Sequence, residues 1–146
     1  MPISYAVGLD GALVVEVWYG DITLDDLYDH REQQAGDISI VNGARVLADI
    51  RRASFQGISE KQMAAFARSY RATEDQPQAR SLAFVATDGF SKAQAYEKAS
   101  RTFLRNVVVF TSFSTACKWL GVDAALVLNS IDELQPKNEG GSAVQS

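Results

Sequence analysis

The stretch Arg45-Val-Leu-Ala-Asp-Ile-Arg-Arg-Ala-Ser-Phe-Gln-Gly-Ile-Ser-Glu-Lys-Gln62 decides the fold. Val46 to Ile50 is a short, largely apolar strand. Arg51 to Ile58 reads as a polar loop. Ser59 and Gln62 have the spacing of a capping box, in which each side chain satisfies the other residue's backbone N–H at a helix start. A strand, a loop and a capped helix form the junction at which open α/β domains present binding surfaces.

Upstream, Ser4 to Leu9 and Ala12 to Tyr19 read as two strands. Asp10-Gly11 between them tolerates the positive φ of a tight hairpin. Alternation places Leu13, Val15, Val17 and Tyr19 on one face of the second strand and Val14, Glu16 and Trp18 on the other. Gly20-Asp21 breaks the strand, and Thr23 with Asp26 caps a first helix. Asp25 and Asp26 favour the positive end of its dipole. Leu24, Leu27, Tyr28 and Ala35 form its apolar stripe, and Asp37 to Gly43 is a loop.

Downstream, Met63, Phe66, Ala67 and Tyr70 line the helix that Ser59 opens, and Glu74 to Gln78, with Pro77, closes it. Leu82 to Ala86 is a further strand. Ser91 and Gln94 cap a third helix with Ala95, Ala99 and Phe103 inward. Val107 to Phe110 is the last strand. Ser114 caps a short fourth helix carrying Ala116, Trp119 and Leu120, which Gly121 stops. Asp123 to Leu134 adds one more helix, and Gln135 to Ser146 has the composition of a disordered tail.

The order β-β-α-β-α-β-α-β-α predicts an α/β fold with a mostly parallel five-stranded sheet and one antiparallel edge strand. Right-handed crossovers between adjacent strands place every crossover helix on the same face. Val46 to Ile50, Leu82 to Ala86 and Val107 to Phe110 are nevertheless apolar on both faces. The second face therefore needs a cover: either the C-terminal helix or the second subunit of a homodimer.

The 146 residues fit one domain over 1–134 followed by the tail 135–146. A net charge of −4 argues against nucleic acid or an anionic membrane as the main partner, since both require a positive field. The single cysteine, Cys117, reads as a small core residue. No charged n-region with an apolar h-region opens the chain, and no apolar run approaches the roughly 20 residues that span a bilayer. A cytoplasmic protein without a membrane span is the expectation.

Candidate chemistry is sparse. Asp49, Arg51 and Arg52 lie at the end of the central strand. Asp49 either fixes the following backbone or, with Arg51, meets a polar ligand group or a partner. Ser59 suffices as an N-cap, although a phosphate there would suit the helix dipole. Phe55 and Phe90 either rim a pocket or anchor their loops on the core. His30, the only histidine, shares a helix face with Asp26 and Gln34 and is expected at the solvated surface. It has no second histidine or thiolate partner for a metal. No nucleophile elbow, phosphate loop or dinucleotide fingerprint occurs. No catalytic set, metal site or cofactor is expected.

The element order, together with Tyr19-Gly-Asp-Ile-Thr-Leu-Asp-Asp26, Val46-Leu-Ala-Asp-Ile50 and Val109-Phe-Thr-Ser-Phe-Ser-Thr-Ala-Cys-Lys-Trp-Leu120, resembles the STAS-like (SpoIIAA-like) domains. The resemblance is to their small bacterial branch, and more distantly to the CRAL-TRIO architecture. It runs from about Ile3 to Val122. It implies a non-enzymatic regulatory or protein-binding module acting through Asp49, Arg51, Arg52, Ser54, Phe55 and Ser59. The antagonist branch of the family carries a phosphorylated serine at the helix after the central strand. Ser59 corresponds to it by place in the fold, and Ser54-Phe-Gln-Gly57 echoes the surrounding motif loosely. This chain departs from that motif by setting Ile50 to Ala53 between Asp49 and Ser54. The CRAL-TRIO likeness implies the alternative, a carrier or sensor of a small apolar ligand.

Overall fold

The computed structural model describes residues 2–69, 81–101 and 106–135. Tyr70, the break from Glu74 to Gln78, Phe103 and the tail from 136 onward lie outside the described residues. The elements, in chain order, are β1 (Ile3–Gly8), β2 (Leu13–Asp21), α1 (Leu24–Ala35), β3 (Arg45–Ser54), α2 (Glu60–Ser69), β4 (Ser81–Val85), α3 (Phe90–Ser100), β5 (Asn106–Phe110), α4 (Phe113–Leu120) and α5 (Ala124–Leu134). The strands form a five-stranded sheet in the order β1-β2-β3-β4-β5. β1 runs antiparallel to β2, and the other pairings are parallel. This is the α/β arrangement that the alternating pattern predicts.

The two faces of the sheet carry separate cores. One holds Val14, Trp18, Val46, Ala48, Ile50 and Phe84 against Leu27 of α1, Met63 and Phe66 of α2, and Ala93 and Tyr96 of α3. All the crossover helices thus lie on one side, as right-handed connections between adjacent strands require. The other core packs Leu13, Val15, Val17, Leu47, Ala83 and Val85 against Ala116, Cys117 and Leu120 of α4 and Val127 and Ile131 of α5. The chain's own C-terminal helices therefore cover the second face, so the doubly apolar strands do not call for a second subunit. Cys117 is a buried core residue, and burial pushes its thiol pKa up. No described helix is long and apolar enough to cross a membrane.

Local chemistry sets most of the boundaries. Thr23 and Asp26 form the expected capping box of α1. Ser59 and Gln62 form that of α2, at 3.0 and 2.9 Å. The β1–β2 connection is a tight turn in which Leu9, Asp10 and Gly11 all have positive φ. A Cβ on Gly11 would lie 2.2 Å from the Ser39 carbonyl oxygen, so only glycine fits. Gly121 ends α4 in the left-handed region at φ 72°.

Four boundaries differ from expectation. α4 is capped by Ser112, not Ser114: Ser112 has the extended backbone of an N-cap and accepts the Thr115 N–H at 3.3 Å. α3 starts at Phe90 with Gly89 at the cap and no side-chain capping bond, which leaves Ser91 inside the first turn. Close packing selects glycine there, because a Cβ on Gly89 would stand 2.6 Å from the Phe55 ring. β3 continues through Arg51 to Ser54, where a polar loop was expected. β2 continues beside it past Tyr19, pairing Tyr19 with Arg52, Gly20 with Ala53 and Asp21 with Ser54.

Candidate functional site

The C-terminal end of β3 divides the expected site residues between the two faces of the sheet. Asp49 pairs in register with Val17 and Val85, whose side chains belong to the α4–α5 layer. β2 then advances two residues, from Val17 to Tyr19, while β3 advances three, from Asp49 to Arg52. The extra residue is a bulge, the kind of irregularity that re-aims side chains at a strand end.

Asp49 is 3% exposed. Its Oδ1 accepts from the Arg51 backbone N–H at 3.1 Å and from Arg51 Nε at 2.9 Å. Its Oδ2 accepts from Arg51 Nη2, also at 2.9 Å. The paired carboxylate and guanidinium are planar and bidentate, a geometry that only arginine offers a carboxylate. Arg51 leans on the ring of Phe113 at the start of α4, 5.6 Å from its centroid. Thr87 Oγ1 donates to the Arg51 carbonyl at 3.1 Å. The bonds from Asp49 raise the Arg51 pKa above its ordinary value. Asp49 therefore fixes the backbone that follows it and also holds a half-exposed guanidinium in place. Arg52, the next residue, is exposed.

Phe55 belongs to the opposite layer. It is buried, with its centroid 6.0 Å from that of Trp18, and it presses on Gly89. Lys92 Nζ donates to the Phe55 carbonyl at 2.9 Å and to the Ile58 carbonyl, which ties the segment before α2 to α3. A surface cleft of about 390 Å³ lies here, lined by Ala53, Ser54, Phe55, Gln56, Asp88, Ser91 and Lys92. Phe55 thus anchors its loop on the core and also forms part of the cleft wall. Phe90 is partly buried against the same core. Ser59 is exposed, and its hydroxyl is engaged as the α2 cap. The structure brings Asp49 and Arg51 together against α4 and sets Ser54 and Phe55 in the wall of one cleft.

His30 is not at the solvated surface. It is 4% exposed, and its Nε2 lies 3.1 Å from Glu16 Oε2. Glu16 is equally enclosed; its Oε1 accepts from Trp18 Nε1 at 2.8 Å and its Oε2 from Gln34 Nε2 at 2.7 Å. The Tyr5 and Trp18 rings stand edge-on to the imidazole, each 6.0 Å away. His30 Nδ1 has no hydrogen-bond partner among the described residues. Burial pushes the Glu16 pKa up, but the electrostatic attraction of His30 and the bonds from His30, Trp18 and Gln34 outweigh it, leaving the carboxyl below its ordinary value. Beside the cluster, the Tyr5 hydroxyl donates to Asp37 at 2.7 Å. Burial and this bond drive the Tyr5 pKa far up. The signal for the cluster was in the alternation of β2, which put Glu16 on the face of Val14 and Trp18. A carboxylate on a core face requires a partner. Among the described residues no group of three or more His, Cys, Asp or Glu side chains gathers as a metal site.

No protein-family model matches the chain, and a comparison with curated proteins finds no match. Among solved structures it is similar to an uncharacterised protein of the DUF3478 family from Shewanella loihica PV-4, described as having a SpoIIAA-like fold. The superposition has a TM-score of 0.51 at 17% identity and covers 81% of this chain and 91% of that one. The chain has the SpoIIAA-like α/β fold.

Proposed function

We propose that this chain is a non-enzymatic regulatory module that binds a protein partner at the C-terminal end of β3. The observation that carries this reading is the arginine fork. Arg51 is held by both oxygens of a buried carboxylate and by an aromatic ring, with exposed Arg52 next to it. A cation fixed before contact loses little side-chain entropy on binding and suits an acidic group on a partner. The SpoIIAA-like fold supports the same reading, as does the adjoining cleft at Ser54 and Phe55. Ser59, exposed at the start of α2, is the serine at which a phosphate would alter this face, and Ser54 at the cleft is the alternative acceptor.

Affinity capture from the native host tests the proposal, with wild-type, Arg52→Glu and Arg51→Lys baits checked for folding by circular dichroism. A partner retained by the wild type and lost with Arg52→Glu supports it. No retained partner across several growth conditions, or equal retention by folded Arg52→Glu, overturns it.

A further inference from the structure

We propose that the outer edge of β5 is a self-association surface, on which two copies of this chain pair antiparallel and continue the sheet across a two-fold axis beside Val107. β5 is the last strand in the sheet order, bonded to β4 on one side and to no described strand on the other. Its sequence, Asn-Val-Val-Val-Phe from Asn106 to Phe110, has high strand propensity and none of the charges, prolines or bulges that guard free edges. A groove of about 490 Å³ runs beside it, lined by Asn106, Val107 and Val108 of the strand, Glu97 and Arg101 on the α3 side, and Trp119 of α4. Trp119 is 40% exposed although it belongs to the largest apolar side-chain type, and it stacks on Phe110 at 5.7 Å.

Charge argues for a second copy as the occupant. Glu97 and Arg101 lie one helical turn apart with opposite signs, and their side chains pair at 2.9 Å. The Arg101 side chain is 67% exposed. A two-fold axis perpendicular to the sheet sets α3 antiparallel to its own copy, on the same side of the joined sheet. An axis level with Val107, the centre of the groove-lining run, brings Glu97 of each copy toward Arg101 of the other. The patch is therefore complementary to itself, as a two-fold interface requires. The same operation brings the two Trp119 side chains together on the α4 side, an aromatic contact of the kind enriched at interface centres. This surface is separate from the β3 end and does not depend on the function proposed for it.

Sedimentation velocity at micromolar concentrations, with salt held fixed, tests the proposal. The wild type is expected to sediment as a dimer. Glu97→Arg places like charges across the axis and is expected to weaken the dimer at least about tenfold. The charge swap Glu97→Arg with Arg101→Glu restores the complementarity and is expected to restore the dimer. Arg101 is exposed and Glu97 is partly buried, and circular dichroism confirms that each variant folds. A monomeric wild type, an unweakened folded Glu97→Arg variant, or a charge swap that stays as weak as the single variant each overturns the proposal.

Discussion

Glu16 and His30 meet at 3.1 Å inside the core, one on the second strand and the other on the helix that crosses over it. Around a single carboxylate the fold gathers an imidazole, an indole N–H and a side-chain amide. His30 and Gln34 thus join α1 to the sheet through polar contacts to one carboxylate, beside the apolar contact of Leu27. Removing the carboxylate leaves the buried imidazole, indole and amide donors without their acceptor, which costs more than the bonds themselves contribute. Glu16→Ala is expected to lower unfolding stability by about 3–5 kcal/mol. Urea titration at neutral pH measures this, and a loss below about 1 kcal/mol would show that the carboxylate is dispensable.

The same carboxylate gives the fold an acid limb. Glu16 titrates below its ordinary 4.5 in the folded state. A carboxyl held low by the fold contributes stability that is fully present above its unfolded value and is lost as pH falls through the folded one. The stability gap between wild type and Glu16→Gln is therefore expected to shrink as pH falls below 4.5. Urea midpoints across an acid series measure it. A gap that holds constant or widens over that range contradicts the assignment.

The Asp49–Arg51 fork predicts a smaller effect, because the guanidinium is partly in water. Arg51→Ala removes two of the three bonds described for the Asp49 carboxylate and leaves the Arg51 backbone N–H. With solvent screening of the exposed partner, the expected loss is about 1–2 kcal/mol. Asp49→Asn combined with Arg51→Ala is expected to cost less than the sum of the single changes, since each has already removed the same contact. Arg52→Ala should stay within about 0.5 kcal/mol of wild type. Chemical denaturation of the four variants completes the cycle, and strict additivity would show that the two side chains do not act together.

Capping distinguishes two neighbouring serines. Ser112 accepts the Thr115 N–H, whereas Ser114 lies inside the first turn of α4. Ser112→Ala is expected to cost about 1 kcal/mol. Ser114→Ala is expected to remain within about 0.5 kcal/mol. Thermal unfolding of both variants decides between them, and the reverse ranking would place the cap at Ser114.

Legibility followed the physics of each signal. Alternation along β2 divided Leu13, Val15 and Val17 from Val14, Glu16 and Trp18, and the two cores divide in the same way. That pattern is set by strand geometry, so it survives without knowledge of the partner strand. The capping boxes at Thr23 and Ser59 were equally local. What failed depended on distant segments. Arg51 to Ser54 looked like a loop because their polar residues hide a strand that exists only through pairing with Tyr19 to Asp21. His30 looked solvated beside Asp26, yet it stands one turn after buried Leu27 and faces Glu16, fourteen positions earlier in the chain. At the β3 end, the residue types were legible, but their separation to opposite sheet faces required the bulge after Asp49.

The start of α3 offers the sharpest packing test. Most helix starts are set by a side chain that accepts a backbone N–H, yet Gly89 provides none. Its place is fixed by Phe55, whose Cε2 and Cδ2 atoms would stand 2.6 and 2.7 Å from an added methyl. A ring wedged between Trp18 and the helix start cannot withdraw by a few tenths of an ångström without disturbing the β2 core. Gly89→Ala is therefore expected to cost about 1–3 kcal/mol, the clash adding to glycine's small advantage over alanine at an N-cap. Phe55→Leu alone should also destabilise, by removing buried ring atoms. Combined, the two changes are expected to cost less than their sum, because leucine vacates the space that the methyl enters. Urea denaturation of the single and double variants reads this coupling directly. Additive losses would mean that the ring does not determine where the helix begins, and that the close approach between Phe55 and Gly89 relaxes without cost.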